Sequence, residues 1–390
     1  MRIAVDATPW FNERGYGRFA REILRALVRL PGSREWVFLL DRRDVDRIER
    51  LEGSVRVRGV ELSARPTEAA SASGARSIRD LLAMRRAAAE EAPDVLFYPT
   101  VYTYFPVPRG LRAVVTVHDA IAERFPELTL PTWRSRFFWN RKVGHALGRA
   151  RLVLTVSDFS ADEIEEVLRV ERARIRVCGE APARAFRPMT PADPLAAGAL
   201  AALPPGARYF VYVGGFNPHK HVDVLARAHA RLARSLADAP HLVLVGTRDR
   251  DAFHTSLPEI EAAVEAGGAG ALVHWTGFLP DEELARLHSN SLACVLPSAC
   301  EGFGLPAVEA AACGAPVVAT TRSPLPRLLA GGGIFVEPGD EDGLLAALRE
   351  IATDEPGRAA LGRAALARAR ELSWDRSAQA ALAAIEEAAR

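Results

Sequence analysis

The feature that most limits what this chain can fold into is a rhythm. Short apolar runs, many of them rich in β-branched residues, alternate with longer amphipathic segments. In the first half the runs are "RIAVDA", "WVFLL", "DVLFYPT", "AVVTVHD" and "RLVLTVS". Between them lie helical pieces such as "GRFAREILRALVRL", which places Phe19, Ile23, Leu27 and Leu30 on one side. "TVSDFSADEIEEVL" reads as strand, cap and helix, with Ser160 three residues ahead of Glu163 as a capping box. The rhythm stops across Glu180 to Ala207, a stretch rich in Pro and Ala. It restarts with "YFVYVGG", "HLVLVG", "ALVHWTG", "SLACVLPS", "APVVAT" and "GIFVEP". Strands with no polar face, separated by helices, belong to parallel sheets covered on both sides. The sequence therefore predicts an α/β protein with two doubly wound, Rossmann-like domains, at 1–185 and 208–374, joined by a linker at 186–207. A last helix is expected over 375–390. A length of 390 residues also exceeds what one core usually supports. Ligands of open parallel sheets bind at the carboxyl ends of the strands. Two such domains facing each other make a cleft, and the loops after the strands should carry the function.

Composition removes several classes of partner. The net charge is +1, which gives no overall electrostatic case for nucleic acid. The cysteines, at 178, 294, 300 and 313, form no C-x-x-C and have no histidine cluster at zinc-like spacing. Buried free thiols and a reducing compartment are the expectation. The amino terminus shows no signal-peptide pattern, and no uncharged apolar stretch is long enough to span a bilayer. A cytoplasmic protein is expected. Lysine occurs only at Lys142 and Lys220, every other basic residue being arginine, so a lysine in a loop draws notice.

Four loops stand out. "CEGFGLPAVEA" holds Glu301 and Glu309 eight positions apart, with Gly302, Phe303, Gly304 and Leu305 after the first. A helix starting near Leu305, with Pro306 in its first turn, aims amides and the positive end of its dipole at an anion such as phosphate. Glu301 and Glu309 then suit polyols on either side of a diphosphate, although two solvated glutamates give the same spacing. "YVGGFNPHKHVDVL" carries Gly215 and brings Lys220 to a probable helix start, where an ammonium on a flexible stem suits a diphosphate or simply meets water. "NERGYGRFA" sets Gly15 and Gly17 ahead of a helix, as a plain turn or as backbone against phosphate or acceptor. "TVHDAIAERFPE" ends a buried strand on His118, either a structural histidine or a hydrogen-bond partner of a sugar.

These pieces, in this order, resemble the retaining glycosyltransferases of family 4, which have the GT-B fold, and the resemblance covers almost the whole chain. "EGFGLPAVEA" is similar to that family's E-x7-E motif, "GGFNPHK" to its donor-phosphate loop, and "VHDAIAERFPE" and "VSDFSADEI" to first-domain signatures. "GFLPDEELARLHSNSLACVLPS" is similar to the segment with the base-contacting loop. The resemblance implies that Glu301 holds the transferred sugar, Glu309 the ribose and Lys220 the diphosphate. It implies that His118 contacts the sugar and steadies the transition state, and that Phe278 and Leu279 touch the base. Gly15 and Gly17 would lie against phosphate or acceptor, and the last helix would cross back to the first domain. Many members have Arg where Gly215 stands, so either His219 or Arg248 is expected to substitute or the backbone donors to carry more of the charge.

The implied activity is transfer of a hexose, with retention, from a nucleotide diphosphate sugar to a saccharide or lipid-linked acceptor in glycan synthesis. GDP-mannose is favoured over a UDP-sugar. A sugar epimerase or phosphorylase on the same fold and a non-catalytic two-lobed binding protein are the rivals. No cofactor or metal is expected. D-x-D triplets at Asp44–Asp46 and Asp249–Asp251 fit helix starts, where Asp is favoured, better than a metal site. "RSRFFWNRKVGHALGRA" sets Arg134, Arg141, His145 and Arg149 with Phe138 on one side of a helix, over Trp139, Val143 and Leu147 on the other. That pattern fits a solvated face or peripheral contact with anionic lipid at the inner membrane surface.

Overall fold

A computed structural model describes residues 1–65, 77–189, 203–204, 206–248 and 255–390. Most of the expected linker and the triplet Asp249–Asp251 lie outside the described residues. The chain divides into two units, Met1–Glu180 with Ser373–Arg390, and Ala181–Leu372. The division falls before the expected linker because the residues after Glu180 pack on the second unit. Phe186 is buried near the ring of His288, and the Met189 amide donates to Ser289 Oγ at 3.1 Å.

The first unit is built on seven parallel strands: β1 Arg2–Asp6, β2 Glu35–Asp41, β3 Val55–Val60, β4 Val95–Tyr98, β5 Arg112–Thr116, β6 Leu152–Thr155 and β7 Ile175–Val177. They lie in the order β3-β2-β1-β4-β5-β6-β7. Six follow in the second unit: β8 Tyr209–Val213, β9 His241–Val245, β10 Val273–Gly277, β11 Ala293–Leu296, β12 Val317–Thr320 and β13 Gly333–Val336, in the order β10-β9-β8-β11-β12-β13. Both orders reverse once, between β1 and β4 and between β8 and β11. At that switch point neighbouring loops leave in opposite directions and open a crevice at the strands' carboxyl ends. The central strands are mostly apolar and covered, as Val211, Leu242, Val243 and Val295 show.

Two strands carry weaker patterns than the rest. β3, "VRVRGV", alternates with arginine because it is an edge strand with one wet face, and β7 has three residues. One cap also differs from expectation. The helix Asp158–Leu168 is capped by Ser157, whose side chain accepts from the Ser160 amide at 3.0 Å, so Ser160 is a buried first-turn residue. The helix Gly15–Arg29 buries Phe19, Ile23 and Leu27 completely, while Leu30 lies past its end.

The last helix, Trp374–Ala389, belongs to the first unit. It lays Ala378, Ala381, Leu382 and Ile385 into the core and packs on the helix Gly15–Arg29. Trp374 meets Phe19 with ring centroids 6.0 Å apart. Ion pairs Arg34–Glu386 at 2.8 Å and Arg29–Asp375 at 3.3 Å flank this seam.

Candidate active site

The second unit gathers its polar groups at the β8–β11 switch point. After β8 the chain runs through Gly214 and Gly215 into a 3-10 turn, Pro218–Lys220. After β11 it runs through Ser298 to Glu301. The two loops are tied by the Ala299 amide, which donates to the His219 carbonyl at 2.8 Å. Lys220 Nζ then donates to Glu301 Oε1 at 2.7 Å, and Ser298 Oγ donates to the same oxygen at 2.6 Å. Ser298 is fully buried and is held by Thr320 Oγ1, which donates to its carbonyl at 2.8 Å. With both bonds on Oε1, Oε2 is left to accept from a ligand. Ser298 has no mark in the sequence; only the fold shows that it orients Glu301.

The helix Leu305–Ala312 starts where the Gly304–Leu305–Pro306 run predicts. Gly304 caps it at φ +82, a left-handed conformation, and a Cβ there would lie 2.7 Å from Leu325 Cδ1, so only glycine fits. Pro306 has no N–H, and the amides of Ala307 and Val308 return to the Gly304 carbonyl. An anion at this end would therefore meet the amides of Phe303, Gly304 and Leu305. Phe303 and Leu305 are themselves buried.

Glu309 lies deeper than its place one turn into the helix suggests, 2% exposed, with Cys294 and Cys313 close enough for its charge to bear on their thiols. Leu279 is buried as well, whereas Phe278 keeps half its ring exposed after the turn at Gly277. All four cysteines are buried and free.

Neither expected replacement for the phosphate-loop arginine supplies a free cation. Burial, aided by the charges of Lys220 and His221, holds His219 well below the usual histidine range, so it is neutral near pH 7. Arg248 is paired with Glu261 and lies 4.7 Å from the centroid of the Trp275 ring.

In the first unit His118 follows β5, with its side chain 11% exposed. Its Nε2 is 3.2 Å from the Pro99 carbonyl, its Nδ1 is 3.8 Å from Glu180 Oε1, and its ring meets Phe19 edge-on at 4.8 Å. Burial raises the Glu180 carboxyl above its ordinary value, against the opposing influence of nearby His118. Glu180 is a second partner that sequence reasoning missed. Gly15 and Gly17 stand within the first turn of their helix rather than ahead of it. A Cβ on Gly17 would lie 2.1 Å from the Asn12 carbonyl oxygen, which makes this glycine a packing requirement, while Gly15 has open space. A wider groove lined by Met1, Arg34, Asp94 and Glu386 lies at the amino ends of β1 and β4, the end such sheets do not use for ligands.

Asp44 of the first D-x-D triplet is buried against Arg47 and Arg65. Among the described residues no group of three or more His, Cys, Asp or Glu is placed to hold a metal.

Two parallel-sheet Rossmann-like units with this strand-end arrangement define the class of GT-B glycosyltransferases. Residues 14–179 match Glycosyltransferase Family 4, and residues 201–368 match Glycosyl transferases group 1. The chain is 31% identical over 264 residues to O-antigen chain mannosyltransferase B of Escherichia coli, covering 68% of this chain and 67% of that one. It is 36% identical over 207 residues to D-inositol 3-phosphate glycosyltransferase of Stackebrandtia nassauensis, covering 51% of this chain and 46% of that one. Among solved structures, sucrose-phosphate synthase from Thermosynechococcus elongatus matches with a TM-score of 0.76 at 20% identity, covering 99% of this chain and 98% of that one. Anabaena HepE in complex with UDP-glucose matches at 0.72 and 18%, covering 99% of each chain. The chain belongs to the family 4 glycosyltransferases and is an enzyme of that kind.

Proposed function

We propose that this enzyme transfers a hexose, GDP-mannose being the favoured donor, to a saccharide or lipid-linked acceptor with retention at the anomeric carbon. The observation that carries the donor assignment is the Lys220–Glu301–Ser298 cluster at the β8–β11 switch point, beside the amino end of the helix Leu305–Ala312. An ammonium and inward amides suit the diphosphate, and a held carboxylate suits sugar hydroxyls. As the bond from C1 to the phosphate oxygen breaks, negative charge grows on the leaving diphosphate, where Lys220 and the amides of Phe303 to Leu305 offset it in advance. The acceptor oxygen bonds to C1 on the same face, and its proton passes to the departing phosphate oxygen. Glu301, held through Oε1, acts as a hydrogen-bond acceptor rather than as a nucleophile. The similarity to a mannosyltransferase favours mannose; the UDP-glucose of HepE supports a UDP-sugar as the second reading.

Melting the protein with GDP, UDP and ADP tests the reading. GDP is expected to raise Tm most, and Glu309→Gln to weaken nucleotide binding about tenfold, the scale of one charge-assisted hydrogen bond. Equal shifts from all three nucleotides would remove the base assignment. Turnover is expected to persist in excess chelator, and the product to keep the donor's anomeric configuration by NMR.

The membrane side of the proposal rests on the helix Trp133–Arg149. Its residues Trp133, Phe137 and Phe138 are 72%, 50% and 62% exposed, while Trp139, Val143 and Leu147 are buried. Arg134 lies 5.5 Å from the Trp133 ring centroid and Arg141 5.7 Å from that of Phe137. The helix carries no Asp or Glu. Aromatic rings with arginines along one exposed face suit the interface of an anionic bilayer. No helix among the described residues is long and apolar enough to cross a membrane. Sedimentation with phosphatidylglycerol vesicles is expected, with about thirtyfold weaker binding for Arg141→Glu at roughly 1 kcal/mol per charge near the surface. Undiminished sedimentation of that variant would remove the membrane contact.

A further inference from the structure

Two histidines meet at the amino ends of the second sheet, the end away from Lys220 and Glu301. His241 opens β9, and His274 is the second residue of the edge strand β10. The register sets His274 opposite Val243, so His241, two residues earlier on β9, shares its face of the sheet. His241 Nδ1 and His274 Nε2 lie 2.8 Å apart, with ring centroids at 4.9 Å and planes at 42°. At that distance one ring donates an N–H and the other offers a lone pair. Both residues are part-exposed, so small solutes reach them. Asp238, ion-paired with Arg208 at 3.4 Å, bears on His241. The buried His229, whose Nε2 donates to the Pro240 carbonyl at 2.8 Å, lies close enough to feel the charge of His241.

We propose that this pair is a binding site for a borderline divalent cation, Zn2+ foremost, held between His241 Nδ1 and His274 Nε2 with water completing its shell. Imidazole nitrogen suits zinc, nickel and copper, whereas magnesium and calcium take oxygen. Two Zn–N bonds of about 2.0–2.1 Å at a tetrahedral angle set the nitrogens roughly 3.3 Å apart. The pair therefore opens by about 0.5 Å, a small movement at an edge strand whose residues are all part-exposed. The protons balance. The ring that now donates passes its N–H proton to its other nitrogen through water, and both rings ligate as neutral imidazoles with no net proton released. Burial holds both rings below the usual histidine range, against Asp238 for His241 and with the added charge of His241 for His274. Both are therefore neutral near pH 7, the form that binds metal. Among the described residues no third protein ligand stands with them. The ion thus acts as a clip between β9 and β10, unlike a structural zinc closed by four side chains.

The site stands apart from the transferase reading, and turnover that persists in chelator is compatible with it. Titration calorimetry of the full chain with zinc chloride at pH 7.5 is expected to show one ion bound per chain, and magnesium chloride to give no binding heat. His274→Gln and His241→Gln should each weaken zinc binding by at least about tenfold, since losing even an outer-shell partner of a metal ligand costs that much. If one variant fails to fold, the other removes the same pair from the opposite strand. Copper(II) in place of zinc gives a second readout. Its electron paramagnetic resonance spectrum should show coupling to two imidazole nitrogens in wild type and to one in either variant. The proposal is overturned if wild type binds no zinc, if magnesium binds as well, if both variants bind zinc as tightly as wild type, or if the copper spectrum of wild type lacks a second nitrogen.

Discussion

Lys220→Met is expected to lower kcat/KM for the nucleotide sugar by about two to three orders of magnitude, the scale for removing one preorganised donor from a developing charge. The reason is local: His219 is neutral and Arg248 is paired elsewhere, so neither of the two expected substitutes relieves Lys220. Lys220 and Glu301 are also ion-pair partners with side chains 20% and 13% exposed. An exposed pair contributes about 0–1 kcal/mol, and breaking a buried one costs about 3–5. This pair lies between, so Lys220→Met should lower stability by about 1–3 kcal/mol while the chain still folds. Steady-state kinetics beside a melting curve check both parts; unchanged kcat/KM would remove Lys220 from the site.

Glu301→Gln should reduce kcat by about a hundredfold with little change in nucleotide affinity, because the amide keeps the shape and an oxygen for Ser298 but loses the charge. Since Lys220 and Glu301 touch, the double variant should be well short of the sum of the two losses. Strict additivity in a double-mutant cycle would mean that the contact has no part in the reaction. A fall in nucleotide affinity without a fall in kcat would move Glu301 from the sugar to the nucleotide.

Much of this was legible in the chain itself. Runs such as "YFVYV" and "HLVLV" can be little else than covered strands, and the Gly304–Leu305–Pro306 sequence marks a helix start by chemistry alone. β3 was not legible because its edge position lets arginine alternate with valine and erases the continuous apolar signal. The Ser157 cap was missed because Ser160 offers an equally good local pattern, and backbone geometry chose the earlier serine. His219 reads as a cation in sequence and is neutral in the fold because burial is a property of neighbours far along the chain. The bond from Ser298 to Glu301 and the approach of Glu180 to His118 are invisible for a related reason. Serine and glutamate at those positions carry no motif, and only the folded course of the backbone gives them a role. The exposed Phe137 and Phe138 could be placed on a helix, but their distance from any core had to be seen.

The course of the chain has a consequence for synthesis and for engineering. Residues 373–390 complete the core that residues 1–180 began, after all 192 residues of the intervening unit, Ala181–Leu372, have been made. On the ribosome the first lobe must wait with an unfilled seam along the helix Gly15–Arg29 until residues 373–390 have been made. A chimera that swaps lobes between two such enzymes should therefore cut twice and carry the tail with the front half. A single crossover near residue 180 would mate one parent's seam with the other's tail.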